Sequence, residues 1–152
     1  MSNDLPWYED WFTCAQDELE KQADGSYRYL SRWYNLRDGR HDDMDANFKC
    51  SAWEAGKCAI EFLPGDYSLG AMLMVDTDYE SYEIKYSSAS FAGIDYMEAI
   101  WVSARQPLQE GTPEYDAWYD VVTQKMAQYI PNTPMTDLGY IRHTDDCVYT
   151  LG

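Results

Sequence analysis

The feature that most constrains this chain is alternation with a period of two, renewed in short segments and broken each time by turn residues. Successive side chains of a β-strand point to opposite faces, so such alternation marks a strand with one face buried. Met44, Ala46 and Phe48 alternate with Asp45, Asn47 and Lys49, and Tyr82, Ile84 and Tyr86 alternate with Glu83, Lys85 and Ser87. Strands are predicted at 14–21, 27–36, 43–50, 58–63, 69–76, 82–88 and 96–104, the first being the weakest signal. "ADGS" and "RDGR" supply Asp-Gly turns, "SAWEAGK" and "FAGID" are loops, and "PGDYS" turns the chain. Seven short consecutive strands joined in this way predict an antiparallel meander.

One helix follows. Thr112 is the predicted N-cap, Pro113 suits the first turn, and Glu114 complements the positive end of the helix. Trp118, Val121, Val122, Met126 and Tyr129 form the predicted apolar stripe over 113–129, with Lys125 at its edge, and Pro131 ends the helix. Residues 131–152 read as an irregular tail with a short strand near Tyr140. The expected architecture is all-β with one helix: an up-and-down antiparallel barrel in a single domain, 1–152, with the helix packed outside. A barrel of about eight strands is just wide enough to hold one small ligand.

Composition narrows the function classes. Aromatics make up 16% of the chain, with 14 Tyr and 6 Trp, which suits a thick core or a lined cavity. A net charge of −16 argues against nucleic acid and anionic membrane surfaces, and favours solubility. No apolar run approaches the roughly 20 residues of a membrane span, so the chain is not expected to be transmembrane. "MSNDLPWYED" lacks the basic start and apolar stretch of a signal peptide, so the chain is either not exported or a mature or trimmed form. "HDDMD" (41–45) reads as a solvated charged turn, and no Ser-His-Asp set, phosphate loop or metal-ligand spacing is present. Cys14, Cys50, Cys58 and Cys147 allow three full pairings and lack the paired spacing of a zinc site.

Two motifs carry a family resemblance. "VDTDYESYEIKY" looks like the lipocalin TDY motif between the sixth and seventh strands, here with Asp78 and Tyr79 in structural roles. "AIWVSARQP" resembles the third lipocalin motif, an eighth strand ending in Arg-x-Pro, here Arg105 and Pro107. With the hairpins before and the helix after, the resemblance covers nearly the whole chain from Phe12. "WFTCAQ" and the late "IRHTDDC" are similar to the lipocalin domain of violaxanthin de-epoxidases, and apolipoprotein D-like lipocalins share a similar cysteine pair. One departure stands out. Lipocalins begin with a strand carrying Gly-x-Trp, whereas "LPWYE" has Trp7 and Tyr8, no Gly, and lies too close to Cys14. The first strand is therefore expected to be short or missing, leaving a barrel edge that invites a protein partner or a homodimer.

The resemblance implies a Cys14–Cys147 bridge tying the tail to the first visible strand, a second bridge between Cys50 and Cys58, and hence secretion or an organelle lumen. It implies that Arg105 closes the narrow end of the barrel, stacked on Trp7 or Trp11. It also places the helix outside the last strands, over Tyr82, Ile84 and Tyr86. By composition alone the alternating apolar face serves equally well as a packed core; the resemblance makes it a pocket lining. The expected ligand-binding residues are Tyr27, Tyr29, Trp33, Met44, Phe48, Ile60, Phe62, Met72, Met74 and Trp101, with Glu83 and Lys85 pointing inward among them. Buried charges need partners, so Glu83 and Lys85 are expected to pair with each other, a ligand or water.

The reading that follows is a carrier of a small hydrophobic molecule such as a carotenoid, retinoid, lipid or tetrapyrrole pigment, with no required cofactor or metal. Two alternatives remain: a de-epoxidase-like enzyme acting on a xanthophyll, with Glu83 as acid catalyst, and a structural subunit docking through the open edge.

Overall fold

The computed structural model describes residues 11–62, 67–91 and 94–149. Seven strands precede the helix: β1 (Phe12–Lys21), β2 (Tyr27–Asn35), β3 (Arg40–Cys50), β4 (Lys57–Phe62), β5 (Tyr67–Thr77), β6 (Tyr82–Phe91) and β7 (Ile94–Ala104). They pair in chain order, each antiparallel to the next, as one sheet with β1 and β7 at its two edges. The sheet curls on itself, so that Asp17 of β1 comes within 3.4 Å of Lys85 of β6 across the interior.

The turn chemistry explains the hairpins. Asp24 accepts from the Ser26 amide at 2.9 Å while Gly25 takes a φ of +87°, a conformation that costs glycine little. The β2–β3 turn is tighter than predicted. Asn35 pairs directly with Arg40, so β3 begins at Arg40 rather than 43, because the Asn35 side chain accepts from the amides of Arg37 and Asp38. The "FAGID" loop is also shorter than predicted, since Phe91 pairs with Ile94 and both become strand residues.

The outer face of β2, β3 and β4 is polar, as its alternation requires. Arg28 pairs with Asp45 at 2.5 Å, Arg32 with Asp43 at 2.5 Å and Lys49 with Glu61 at 2.6 Å. Such exposed pairs contribute little individually, but they mark which face meets water.

On β6 and β7 the outer face is apolar because the helix covers it. Helix α1 (Pro113–Tyr129) starts at Thr112, whose hydroxyl accepts from the Tyr115 amide at 3.3 Å. Tyr82, Ile84, Ile100 and Val102 are buried beneath Val122 and Met126, with Met135 and Leu138 of the tail completing the layer. The stripe differs in detail from the sequence reading. Trp118 packs against the sheet cluster as predicted and Tyr119 joins it, Tyr115 is buried with its ring edge-on to Tyr140 of the tail, and Val121 and Tyr129 are 43% and 45% exposed. Tyr129 instead lies beside Lys125, whose ammonium is 5.9 Å from the ring centre and 3.1 Å from Asp76. Asp76 also accepts from the Tyr82 hydroxyl at 2.8 Å, anchoring the helix to the sheet. Ile84 has no exposed surface, so Ile84→Ala should cost about 2–5 kcal/mol in urea unfolding. Val121→Ala should change stability by less than about 0.5 kcal/mol, because Val121 is not part of that layer.

Both disulfides are present. Cys50 and Cys58 face each other in the β3–β4 ladder, and Cys14 joins Cys147. The tail runs along the start of β1. In place of the predicted short strand near Tyr140 the tail has isolated bridge residues at Gly139 and Arg142; Arg142 bridges Thr13 in parallel, and the Cys14 amide donates to its carbonyl at 2.9 Å. Among the described residues no helix is long and apolar enough to cross a membrane.

Candidate functional site

The inner face is assembled by ladder register. Tyr29 pairs with Ala46 and Ala46 with Phe62; Phe48 pairs with Ile60; Met72 pairs with Ser87; Met74 pairs with Lys85 and Lys85 with Trp101. Directly paired residues share a face, so the side chains of Tyr29, Ala46, Phe48, Ile60, Met72, Met74, Lys85, Ser87 and Trp101 converge on one interior. Tyr29, Ala46, Phe48, Ile60 and Met72 form a buried layer, with Tyr27, Met44, Cys58 and Trp101 half-buried against it. The Tyr29 and Phe48 rings stack at 4.7 Å. Trp33 shares the Tyr29 face by alternation and stacks on Phe12 at 4.7 Å. Its indole N–H is buried and has no hydrogen-bond partner among the described residues. The Phe62 side chain lies outside the described residues.

Two β-bulges set this geometry. One lies between Thr13 and Gln16, where Cys14 has a φ of +56°; beyond it Asp17 faces Ser31 and turns inward. The other lies between Met74 and Asp76, where one extra residue moves Asp76 to the outer face opposite Ile84, while Met74 stays inward opposite Lys85.

Lys85 is the centre of the interior's charge. It is 2% exposed, with its ammonium 2.6 Å from Glu83, 3.4 Å from Asp17 and 5.6 Å from the centre of the Tyr29 ring. Burial pushes the ammonium toward losing its proton; Tyr29, Asp17 and Glu83 more than reverse this, so its proton affinity stands above that of an ordinary lysine. Burial likewise raises the Tyr29 hydroxyl well above the ordinary tyrosine range, keeping it protonated. The inward Glu83–Lys85 pair follows from alternation. Asp17 does not: its partner is 68 residues away and its inward turn depends on the first bulge.

The remaining residues singled out in the sequence divide. The Asp78 carboxylate accepts from the amides of Glu80, Ser81 and Tyr82 at 2.9, 2.7 and 3.1 Å, closing the β5–β6 turn. These bonds, led by that with the Ser81 hydroxyl, hold it below the usual carboxylate range. Tyr79 is the next residue in that turn, with a φ of +65°, and is 86% exposed. Arg105 is exposed, and the stacking expected of it on Trp11 is made by Arg37, whose guanidinium lies 4.8 Å from that ring. The β2–β3 turn carries Arg37 to Trp11, at the opposite end of the strands from Arg105. Trp7 lies outside the described residues.

Two surface recesses, of about 420 and 340 Å³, lie elsewhere. One is beside the β1–β2 turn and is lined by Gln22, Asp24 and Arg28; the other lies against the tail at Tyr140, Arg142 and His143. The first reaches Ala46 of the inner face; the second touches none of the inner-face residues named above.

No protein-family model matches the chain, and no curated protein matches it in sequence. Solved structures do match. The cockroach allergen Per a 4 superposes with a TM-score of 0.69 at 18% identity, over 93% of this chain and 80% of that one. Lobster apocrustacyanin A1 gives 0.69 at 13% identity over 96% and 74%, and the siderocalin Ex-FABP gives 0.66 at 11% over 96% and 90%. All are lipocalin-fold proteins. The chain has the lipocalin fold. In that lipocalin frame the curled sheet is the barrel wall, α1 is the helix outside it, and the face bearing Tyr29, Phe48, Trp101 and Lys85 looks into the barrel.

Proposed function

We propose that this protein binds a small hydrophobic molecule within the curled sheet. The observation that supports this best is the inner face itself. Tyr27, Trp33, Met44, Met74 and Trp101 are only half-buried there, above the packed layer of Tyr29, Phe48, Ile60 and Met72. Partly exposed aromatic and thioether groups on a concave face offer apolar surface that a flat or elongated ligand would cover, whether carotenoid, retinoid, lipid or tetrapyrrole. The siderocalin neighbour is described as functioning through dual ligand specificities, so this wall accommodates ligand recognition in at least one protein of similar shape. Two disulfides agree with delivery to an extracellular or lumenal, oxidising compartment. Glu83 is engaged by Lys85 at 2.6 Å, an arrangement that favours a counter-ion over an acid catalyst facing substrate.

Extraction of the natively purified protein and native mass spectrometry should reveal a lipophile, and added lipophiles should quench tryptophan fluorescence saturably. Met44→Glu should weaken that quenching at least about tenfold by placing a charge on the lining. Absence of saturable quenching by every lipophile tried would instead identify the barrel as filled.

A second reading concerns the edge. Among the described residues β1 is paired on its outer side only at Thr13, and β7 has no second neighbour in the sheet. An added strand from a partner would satisfy those backbone groups. A second copy of this chain pairing antiparallel through β1 would bring Glu18 and Glu20 near their own kind on the outer face, so light scattering should show the purified protein as a monomer at low salt.

A further inference from the structure

We propose that the interior selects uncharged lipophiles carrying a hydroxyl or carbonyl oxygen and rejects carboxylates. This inference rests on the binding reading above and names the ligand class that the same site takes.

The first observation is charge bookkeeping. A lone lysine inside an apolar barrel would be an obvious anchor for a carboxylate. Here it already faces two carboxylates. An ammonium has three donors. Glu83 and Asp17 stand at 2.6 and 3.4 Å from it, and the Tyr29 ring occupies a further side at 5.6 Å. The cluster thus holds two carboxylates to one cation and carries a net negative charge. A ligand carboxylate would have to displace one of these partners and remain beside both, which keep only 31% and 26% of their side-chain surface in water. The chain's net charge of −16 acts in the same direction on any anion approaching the barrel.

The second observation is independent. The Trp33 indole N–H, on the same inner face, is buried without a partner among the described residues. Indole nitrogen only donates, so it is completed by an oxygen lone pair. A neutral carbonyl or hydroxyl supplies one without adding charge. Trp33 lies two residues along β2 from Ser31, which is paired with Asp17, so the donor and the acidic cluster are neighbouring levels of one interior. One feature repels anions and the other attracts neutral oxygen, and specificity arises from both together.

The test is displacement of Nile red, an uncharged dye, by methyl undecyl ketone and by dodecanoate at neutral pH. The ketone should displace the dye at a concentration at least about tenfold lower than dodecanoate. Glu83→Gln and, separately, Asp17→Asn should each raise dodecanoate affinity about tenfold and leave the ketone within about twofold, because each frees Lys85 toward the ligand. Trp33→Phe should weaken the ketone severalfold and leave tridecane, a hydrocarbon of the same length without an oxygen, within about twofold, each referred to the variant's own affinity for Nile red. Dodecanoate competing as well as the ketone in the unaltered protein overturns the inference without any variant having to fold, and leaves the binding reading standing. Failure of Nile red, ketone and dodecanoate alike to bind overturns the binding reading itself.

Discussion

Lys85→Leu should lower stability by about 2–4 kcal/mol at neutral pH, somewhat under the cost of breaking a fully buried ion pair, because Asp17 and Glu83 keep 31% and 26% of their side-chain surface exposed. The loss comes less from the missing attraction than from what remains. Two carboxylates on facing strands would be left in the barrel without a cation. The sign of the pH dependence follows. In the unaltered protein the Lys85 ammonium is held above the ordinary lysine value, so its contribution is complete below about pH 10 and fades only as pH rises beyond it. In the variant the penalty is carboxylate repulsion, so acidification toward the range where carboxylates in general take up protons should narrow the gap. Urea unfolding of both proteins at neutral and acidic pH measures this. A gap that stays constant, or widens in acid, would mean that Lys85 acts through packing alone.

Removing the Cys14–Cys147 bridge should be the more damaging change. It spans 133 positions, and the chain-entropy argument assigns about 5 kcal/mol to a loop of that length, against about 2.5 kcal/mol for Cys50–Cys58, which spans 8. Its loss also has a local consequence. The tail holds β1 through the Thr13–Arg142 bridge, and β1 carries Asp17 to Lys85. A Cys14→Ser, Cys147→Ser double variant should therefore unfold at lower urea and, if the binding reading holds, bind its ligand more weakly. Cys50→Ser, Cys58→Ser should lose about half as much stability with little effect on binding. Equal losses from the two pairs would show that loop length does not govern this fold.

Much of the fold was legible because strands and helices write their periods into the chain locally. Period two marked the strands, Asp-Gly the turns, and Thr112 with Pro113 the start of the helix. The inward Glu83–Lys85 pair was legible for the same reason, once the helix was seen to need the opposite face. The helix stripe was less so. Val121 and Tyr129 fit the apolar pattern as well as Tyr115 and Tyr119, and only the angle at which α1 lies on the sheet separates them. Arg105 and Arg37 were likewise indistinguishable as partners for a tryptophan until the β2–β3 turn was placed beside Trp11.

What the sequence determined by itself was everything encoded within about ten residues: the strands, their faces, the turns and the capped helix. What only the tertiary structure decided was how those faces meet. The bulge at Cys14 shifts β1 by one position, a change that moves every later side chain of a strand to the other face. It is this shift, together with the curl of the sheet, that brings Asp17 to Lys85 from 68 residues away. A bulge costs little and leaves no strong mark in composition, while the contact it creates fixes the charge of the whole interior.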